Sequence, residues 1–593
     1  MAATCLGTAG GISDGVPTPV AGGITGLVKG LHTEERERRQ AGFHAVVVDL
    51  PSDATAAAAA DWLVAEARHP SENPEIVYAD GRRHAVRPVN VPLAGQSAAA
   101  VPAGAWVITG GGRGVTAEVA RGLGAHPGTV LHLIGSSPVP EVPDAWRNLD
   151  DTGIRRLREQ VMRESLARKE LPAAGWARVE KAIEIDATLR GLAAAGIRAT
   201  YHACDVGDAA ALAAVLAGIR RTDGPLVGVI HGAGFEKASR FSRKKPELVD
   251  RTIRAKADGA ANLMRLTAAD PLRAFVVFGS ISGRFGAVGQ TDYCSANEGV
   301  AKLVRWYRGQ RPDVPAVAIA WHSWDGVGMA VRPESKFSKS LLKLRFMPPA
   351  EGVEHLLAEI AAGCPEAEVV ITDWRYFKLR HPDPLWLPPA AAESPPAAAP
   401  PESAGPPAAT RIARQVLRLR ASDPPTATAA RLPGPVVIAG TGPDADAVAA
   451  RLEQLGIAVD RLSSSGPAAA ALAELDALLA AGRAQSLLLM SAREEAACDI
   501  NRPRDWRARR EAGVLTPFKL VQWWFAKQAE RRPAAAIAAA VNLGATSDFG
   551  QAPGPRGCGS CRAAQGGADR GRLPRLAGPR RPGRRCRSGD PAG

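Results

Sequence analysis

Residues 291–302 read TDYCSANEGVAK, in which Tyr293 opens an amphipathic helical pattern and Asn297 follows one turn later. A phenol so placed suits proton delivery to a developing alkoxide, but with a pKa near 10 it releases its proton reluctantly and needs a nearby cation. A cation four residues on would share its helix face, and that place holds Asn297. Upstream, the apolar strand pattern VVFGSISG, 276–283, ends in Ser280 and Ser282. Ser280 can hydrogen-bond a carbonyl oxygen while the phenol protonates it, whereas Ser282 reads as a loop hydroxyl. A lysine, Lys256, lies mid-pattern in the helical stretch RTIRAKADGAANLMRL.

The elements that must position these groups begin at AWVITGGGRGVTAEVARGL, 105–123, an apolar strand running into a glycine-rich turn and then a helix. Glycines let the backbone pass close to a pyrophosphate, which sits on the free N–H groups of the helix N-terminus. A tight strand–helix turn without a ligand is the plain alternative. The spacing is TGxxxG, with Thr109, Gly110 and Gly114 enclosing Gly112 and Arg113 and leading into Val115. This resembles the short-chain dehydrogenase/reductase family, with Thr116 at the usual third glycine. The resemblance implies that Asp205 and Val206 of CDV meet the adenine edge. It also implies that Gly232, Ala233 and Gly234 of HGAG admit the nicotinamide ribose. A 2′-phosphate wants a cation: Arg113 lies in the loop, while the second strand ends in Ser136, where many such reductases carry arginine. NADPH is favoured over NADH.

Within that family, ordinary members take the lysine from the tyrosine helix and an asparagine from the helix before it. Lys256 and Asn297 are exchanged relative to that pattern, and the sequence is similar to ketoreductase domains of modular polyketide synthases and related fatty-acid synthases. Ser280 stands 13 residues before Tyr293, the spacing of the family's pair, and FGSISGRFGAVGQTDYCSAN and AIAWHSWDGVGMA follow the same pattern. A charged insertion over 140–190 resembles ketoreductases of polyunsaturated-fatty-acid-type synthases. The likeness covers about 100–377. It implies NADPH-dependent reduction of a 3-oxoacyl thioester, carried by an acyl carrier protein on its phosphopantetheine arm, among other synthase domains. Tyr293 would protonate the alkoxide, Ser280 orient it, Lys256 ease proton release, and Asn297 hold the relay water or the lysine. Phe235-Glu236-Lys237 stand where an LDD signature would report stereochemistry, which therefore stays open. The basic run SRFSRKKPE, 239–247, could meet an acidic carrier protein or be a solvated loop. Two other readings stand beside this one: a catalytically silent scaffold, and a free-standing reductase of small ketones.

At 593 residues several domains are expected. The fold class expected is α/β: a doubly wound parallel sheet of the Rossmann, short-chain dehydrogenase type, with a degenerate second Rossmann-like unit. The divisions are 1–92 (back half of a degenerate unit), 100–380 (catalytic domain), 381–410 (Pro/Ala-rich linker), 411–550 (front half of a degenerate unit) and 551–593 (a disordered tail). Aligning TPVAGGITGLVKGL with TDYCSANEGVAKLV puts Val20 and Ile24 at the tyrosine and asparagine places. Aligning VIAGTGPDADAVAARL with VITGGGRGVTAEVARGL puts Asp444 at the second glycine, where its charge would repel a pyrophosphate. Residues 1–15 and 537–550 also resemble one another, which predicts that 1–92 and about 433–550 pack as one unit.

The net charge of +14 does not signal nucleic acid, since 551–593 hold ten arginines and two aspartates and so contribute +8. No run of 18 apolar residues suggests a membrane span, and no secretory leader is evident, so a cytoplasmic setting is expected. The eight cysteines are scattered, and Cys558, Cys561 and Cys586 fall short of four zinc ligands; no metal is expected.

Overall fold

The strand Gly104–Thr109 is buried along its length, with Ala105 and Val107 in one core and Trp106 and Ile108 in another. That is the signature of a central parallel strand covered on both faces. The computed structural model describes residues 2–5, 22–37, 44–51, 54–68, 73–93, 101–138, 141–331, 339, 345–373, 412–423, 432–462, 468–490, 500–531 and 536–541. Residues 1–551 make one compact unit, and 552–593 fall outside the described residues.

The strands are β1 (Ala2–Cys5), β2 (His44–Leu50), β3 (Glu75–Ala79), β4 (Arg82–Asn90), β5 (Gly104–Thr109), β6 (Thr129–Gly135), β7 (Ala199–Ala203) and β8 (Leu226–His231). After them come β9 (Ala274–Ser280), β10 (Ala316–Trp321), β11 (Glu368–Thr372), β12 (Ala413–Ala421), β13 (Val436–Ala439), β14 (Val459–Leu462), β15 (Ser486–Leu489) and β16 (Ala536–Val541). Residues 104–372 supply the parallel order β7-β6-β5-β8-β9-β10-β11. The chain direction along the sheet reverses at β5/β8, the switch point where α/β sheets hold ligands.

Beyond β11 the same sheet continues through three antiparallel pairings, β11 with β12, β12 with β4, and β4 with β3. The β3–β4 hairpin turns at Asp80 and Gly81, with φ of 50° and 68°, the left-handed pair a two-residue hairpin loop demands. Strand β12 was not anticipated in the sequence, because it follows a Pro/Ala-rich linker and alternates with arginines. The linker residues 381–410 lie outside the described residues.

From β3 the order runs on in parallel through β2 and β15 to β13 and β14. Strands from the first 92 residues and from 436–541 therefore share one sheet. Ile24, Val46, Val437, Leu488 and Trp524 also share one core. Both β1 and β16 pair with β15 and β2. Ala2 and Ala539 stand opposite the same Val47 and the same Leu489. Ala2–Cys5 and Ala536–Val541 are thus in register with the same two strands, so they compete for one sheet position.

Helices α1 (Gly22–Glu37), α2 (Ala56–Arg68) and α3 (Val115–Gly124) precede the charged insertion. That insertion forms α4 (Asp151–Ala167) and α5 (Pro172–Ala194), whose Leu157, Val161 and Trp176 make a small core of their own. Next come α6 (Ala209–Asp223), α7 (Pro246–Ile253), α8 (Gly259–Leu266), α9 (Ile281–Phe285) and α10 (Thr291–Gln310).

Candidate functional site

The glycine-rich turn sits at the β5/β8 switch point. Gly110 (φ 75°) and Gly114 (φ 62°) occupy left-handed backbone that other residues rarely adopt. A Cβ on Gly110 would lie 3.1 Å from the Ala233 backbone. Gly114 caps α3 without a side-chain hydrogen bond, so no capping side chain stands at the helix start where an anion would sit, although the Ala117 N–H already donates to the Gly114 carbonyl. Thr116 fits the third-glycine place because residue 232 is glycine: a Cβ there would lie 2.1 Å from the Thr116 methyl. Gly112 lies against β7 and the insertion, since a Cβ on it would meet Tyr201 of β7 at 3.0 Å and Ile185 of α5 at 3.1 Å. Val115 faces Gly328 of the loop after β10. Arg113 donates to Glu184 of α5 at 2.6 Å, with both side chains 44% exposed. The guanidinium is accessible, but a phosphate would have to compete with a carboxylate.

Ser136 follows β6 and is exposed. Asp205 accepts from the Gly207 N–H (2.9 Å) and pairs with Arg254 (3.0 Å). Val206 is buried, and its carbonyl accepts from Asn262 of α8. HGAG locks to the glycine-rich strand: the Gly232 N–H donates to the Thr109 carbonyl, and the Ala233 N–H to the Thr109 hydroxyl. Gly234 makes room for the lysine, because a Cβ there would lie 2.9 Å from Lys256 Cε.

Lys256 lies in a five-residue π turn, Arg254–Asp258, between α7 and α8. Such turns are commonly found at functional sites. The side chain is 3% exposed, Nζ donates to the Phe278 carbonyl, and burial pulls its pKa from 10.5 to about 7. His231 Nε2 lies 3.0 Å from the Lys256 carbonyl, so that nitrogen carries the proton, and Nδ1 accepts from the Thr109 hydroxyl at 2.8 Å. Burial and Lys256 push His231 down to about 3, so the ring is neutral. One hydrogen-bonded chain therefore joins Ala233, Thr109, His231 and the lysine's own carbonyl.

Ser280 ends β9 and caps α9, its hydroxyl accepting from Ser282 N–H at 3.1 Å. Ser282 is helical rather than a loop hydroxyl and donates to Gln290. Tyr293 is buried in the first turn of α10, which packs against the Lys256 turn and β9. Asn297 Nδ2 donates back to the Tyr293 carbonyl at 2.7 Å, while its buried Oδ1 has no partner among the described residues. A buried acceptor of this kind is where an ordered water or a ligand group is expected.

Helix α10 is fixed by α1. The glycines of α1 lie along the contact: a Cβ on Gly26 would stand 2.1 Å from the Cys294 carbonyl, and Gly30 faces Thr291. Ser295 donates to the Gly23 carbonyl at 2.7 Å. Glycine weakens an isolated helix by roughly 1 kcal/mol per position; here the close approach offsets that cost. Below the contact, the Glu298 carboxylate meets Lys29 and Arg284, both at 3.0 Å, and Lys302 at 3.2 Å. Glu75 pairs with Arg284, and Glu368 with Lys302 and Arg305. Burial and the Arg284 guanidinium draw Lys29 down to about 7 despite the carboxylate beside it. The surrounding cations hold Glu298 and Glu368 below the carboxylate range against the opposing pull of burial.

The basic run 239–247 is not a free loop throughout. Lys244 is buried and pairs with Asp292 at 2.6 Å, and Phe241 packs on Phe518 and Phe525. Gln522 donates to the Phe241 and Lys244 carbonyls, and Glu34 accepts from Phe241 N–H. The structure also reveals a likeness the sequence reading missed. The helix Pro503–Arg510, the π turn Glu511–Leu515 and the helix Thr516–Arg531 repeat the build of α7, the Lys256 turn and α8. Gly513 stands third in its π turn, as Lys256 does in the other. Of the degenerate places, Val20 lies outside the described residues, Ile24 is fully buried, and Asp444 lies in the first turn of Pro443–Gln454. Among the described residues no His/Cys/Asp/Glu group could hold a metal, and no helix is long and apolar enough to cross a membrane. The three tail cysteines lie outside the described residues.

Residues 104–326 match the family model described as KR domain. The chain is 28% identical over 280 residues to a polyunsaturated fatty acid synthase chain of Thraustochytrium sp., covering 45% of this chain and 10% of that protein. It is 43% identical over 143 residues to polyketide synthase GfsB of Streptomyces halstedii, covering 24% of this chain and 2% of that protein. The chain thus spans a tenth or less of the length of these two relatives. A solved structure of A-type ketoreductases from a modular polyketide synthase is 26% identical, with a TM-score of 0.49, covering 64% of this chain and 72% of that one.

Proposed function

We infer that the chain reduces a 3-oxoacyl thioester to the 3-hydroxyacyl thioester with NADPH, a reading supported by the match of residues 104–326 to the KR domain model. The observation that carries this reading is the convergence of Lys256, the HGAG strand and the glycine-rich turn through the Thr109–His231 hydrogen bonds. The residues fit a nicotinamide dinucleotide. Gly110, Gly112, Gly114 and the uncapped start of α3 would hold its pyrophosphate, Asp205 and Val206 its adenine edge, and Gly232–Gly234 its ribose. When bound, NADPH supplies the hydride. Ser280 orients the substrate oxygen, Tyr293 gives it a proton, and the Lys256 ammonium makes that proton easier to release. Asn297 Oδ1 holds the water that reprotonates the phenol.

In the same reading, 100–380 is the catalytic domain, while 1–92 and 411–550 are the two halves of a degenerate companion. The substrate arrives on an acyl carrier protein within a larger synthase. Arg113 reads the 2′-phosphate, exchanging Glu184 for it. Purified protein with NADPH and a simple ketone, trans-1-decalone, should show turnover that Tyr293→Phe abolishes. Protein that binds neither NADPH nor NADH would instead be a silent scaffold.

A further inference from the structure

The π turn that carries Lys256 ends in Asp258, a carboxylate that is 8% exposed. Both its oxygens are engaged from a distant part of the chain. Oδ1 accepts from Trp506 Nε1 at 2.7 Å, and Oδ2 from Arg510 at 2.9 Å. Arg510 also reaches Asp250 of α7 at 3.0 Å, so one guanidinium spans the helix before the turn and the end of the turn itself. Trp506 is 6% exposed. These groups lie on Pro503–Arg510, a helix of the block that lacks the lysine.

A turn of this kind needs outside support. It gives up α-helical hydrogen bonding, and its position depends on what grips it from either side. On the sheet side the grip is the His231 bond to the Lys256 carbonyl. On the other it is the Asp258 carboxylate, held in a charge-assisted bond and an indole bond, both shielded from water. We propose that Trp506 and Arg510 are positioning residues for Lys256: by holding both oxygens of Asp258 they fix the turn that aims the lysine at the active site, so the degenerate block contributes to catalysis without touching substrate. This rests on the reading of Lys256 given above.

Arg510→Met should lower kcat by about 10–100-fold, the scale of a misplacement on the order of 1 Å, while NADPH affinity, read by fluorescence titration, moves less than about two-fold. Arg510→Lys keeps a cation in reach and should recover most of the loss. Trp506→Phe preserves the ring and deletes only the N–H donor, so it serves where the methionine variant fails to fold. Asp258→Ala combined with Arg510→Met should be no slower than the slower single variant, because the two act through one contact. Hydrogen exchange of residues 254–258 should quicken in each loosened variant, a readout independent of turnover. Unchanged kcat and unchanged exchange in folded Arg510→Met and Trp506→Phe would overturn the proposal, as would losses that multiply in the double variant. A wild-type protein that binds NADPH but never turns over would refute the functional reading alone; the exchange measurement would still decide the positioning claim.

Discussion

Glu298→Gln is the sharpest test of how the active-site helix is held. The substitution keeps shape and removes one charge from a carboxylate that is 1% exposed and meets Lys29, Arg284 and Lys302 at 3.0–3.2 Å. Four cations (Lys29, Arg284, Lys302 and Arg305) then share two remaining carboxylates, Glu75 and Glu368. Breaking a buried ion pair from one side costs about 3–5 kcal/mol, since the partner charges stay desolvated. At about 2 °C per kcal/mol for a large cooperative unit, the thermal midpoint should fall by roughly 6–10 °C. Because Tyr293 lies in the first turn of α10, turnover should suffer below the midpoint as well. Adding Lys29→Met removes one orphaned cation and should restore part of the loss. Calorimetry of the single and double variants reads both effects. A fall under about 2 °C, or a double variant worse than the single one, would show that the cluster does not hold the helix.

Lys256→Ala should cut turnover by at least about 100-fold, with a smaller change in NADPH affinity; unaltered kcat would return the lysine to a structural role. Burial lowers its folded pKa from 10.5 to about 7, so the unfolded chain binds more protons between those values and wild-type stability rises with pH across that window. Lys256→Met should accordingly stabilise the protein at pH 7 by a few kcal/mol, on the order of 1.4 kcal/mol for each tenfold loss of proton affinity that burial imposes on the amine. That advantage should shrink by pH 9, and a variant less stable at pH 7 refutes the account. Arg113→Ala should weaken NADPH relative to NADH by about ten-fold, and equal effects on both cofactors would remove Arg113 from that role. Gly26→Ala, favourable in an isolated helix, should lower the thermal midpoint here, because the added Cβ would stand 2.1 Å from the Cys294 carbonyl; a raised midpoint contradicts the packing. Strands lie about 4.8 Å apart, so β1 and β16 cannot hold one position together. β16 covers six positions of β2 and β1 covers four. Ala539→Pro should therefore destabilise the sheet more than Ala3→Pro, and the reverse order would assign the position to β1.

The candidate site residues could be proposed from the sequence because each sits where local pattern reports position. The apolar run before Thr109, the glycines needed for left-handed backbone at 110 and 114, and the helical period around Tyr293 are all short-range signals. What grips those elements could not be read. The distances between Arg510 and Asp258, Lys29 and Glu298, and Glu34 and Phe241 span some 200 residues or more of sequence, and no period or spacing encodes such pairings. Strand β12 was missed for a related reason: its place between β4 and β11 is set by partners on both sides, not by its own arginine-rich pattern. The resemblance of the two chain ends was visible in residue types. That both ends address one position between β15 and β2 was decided by the sheet, because only pairing registers place Ala2 and Ala539 opposite the same valine.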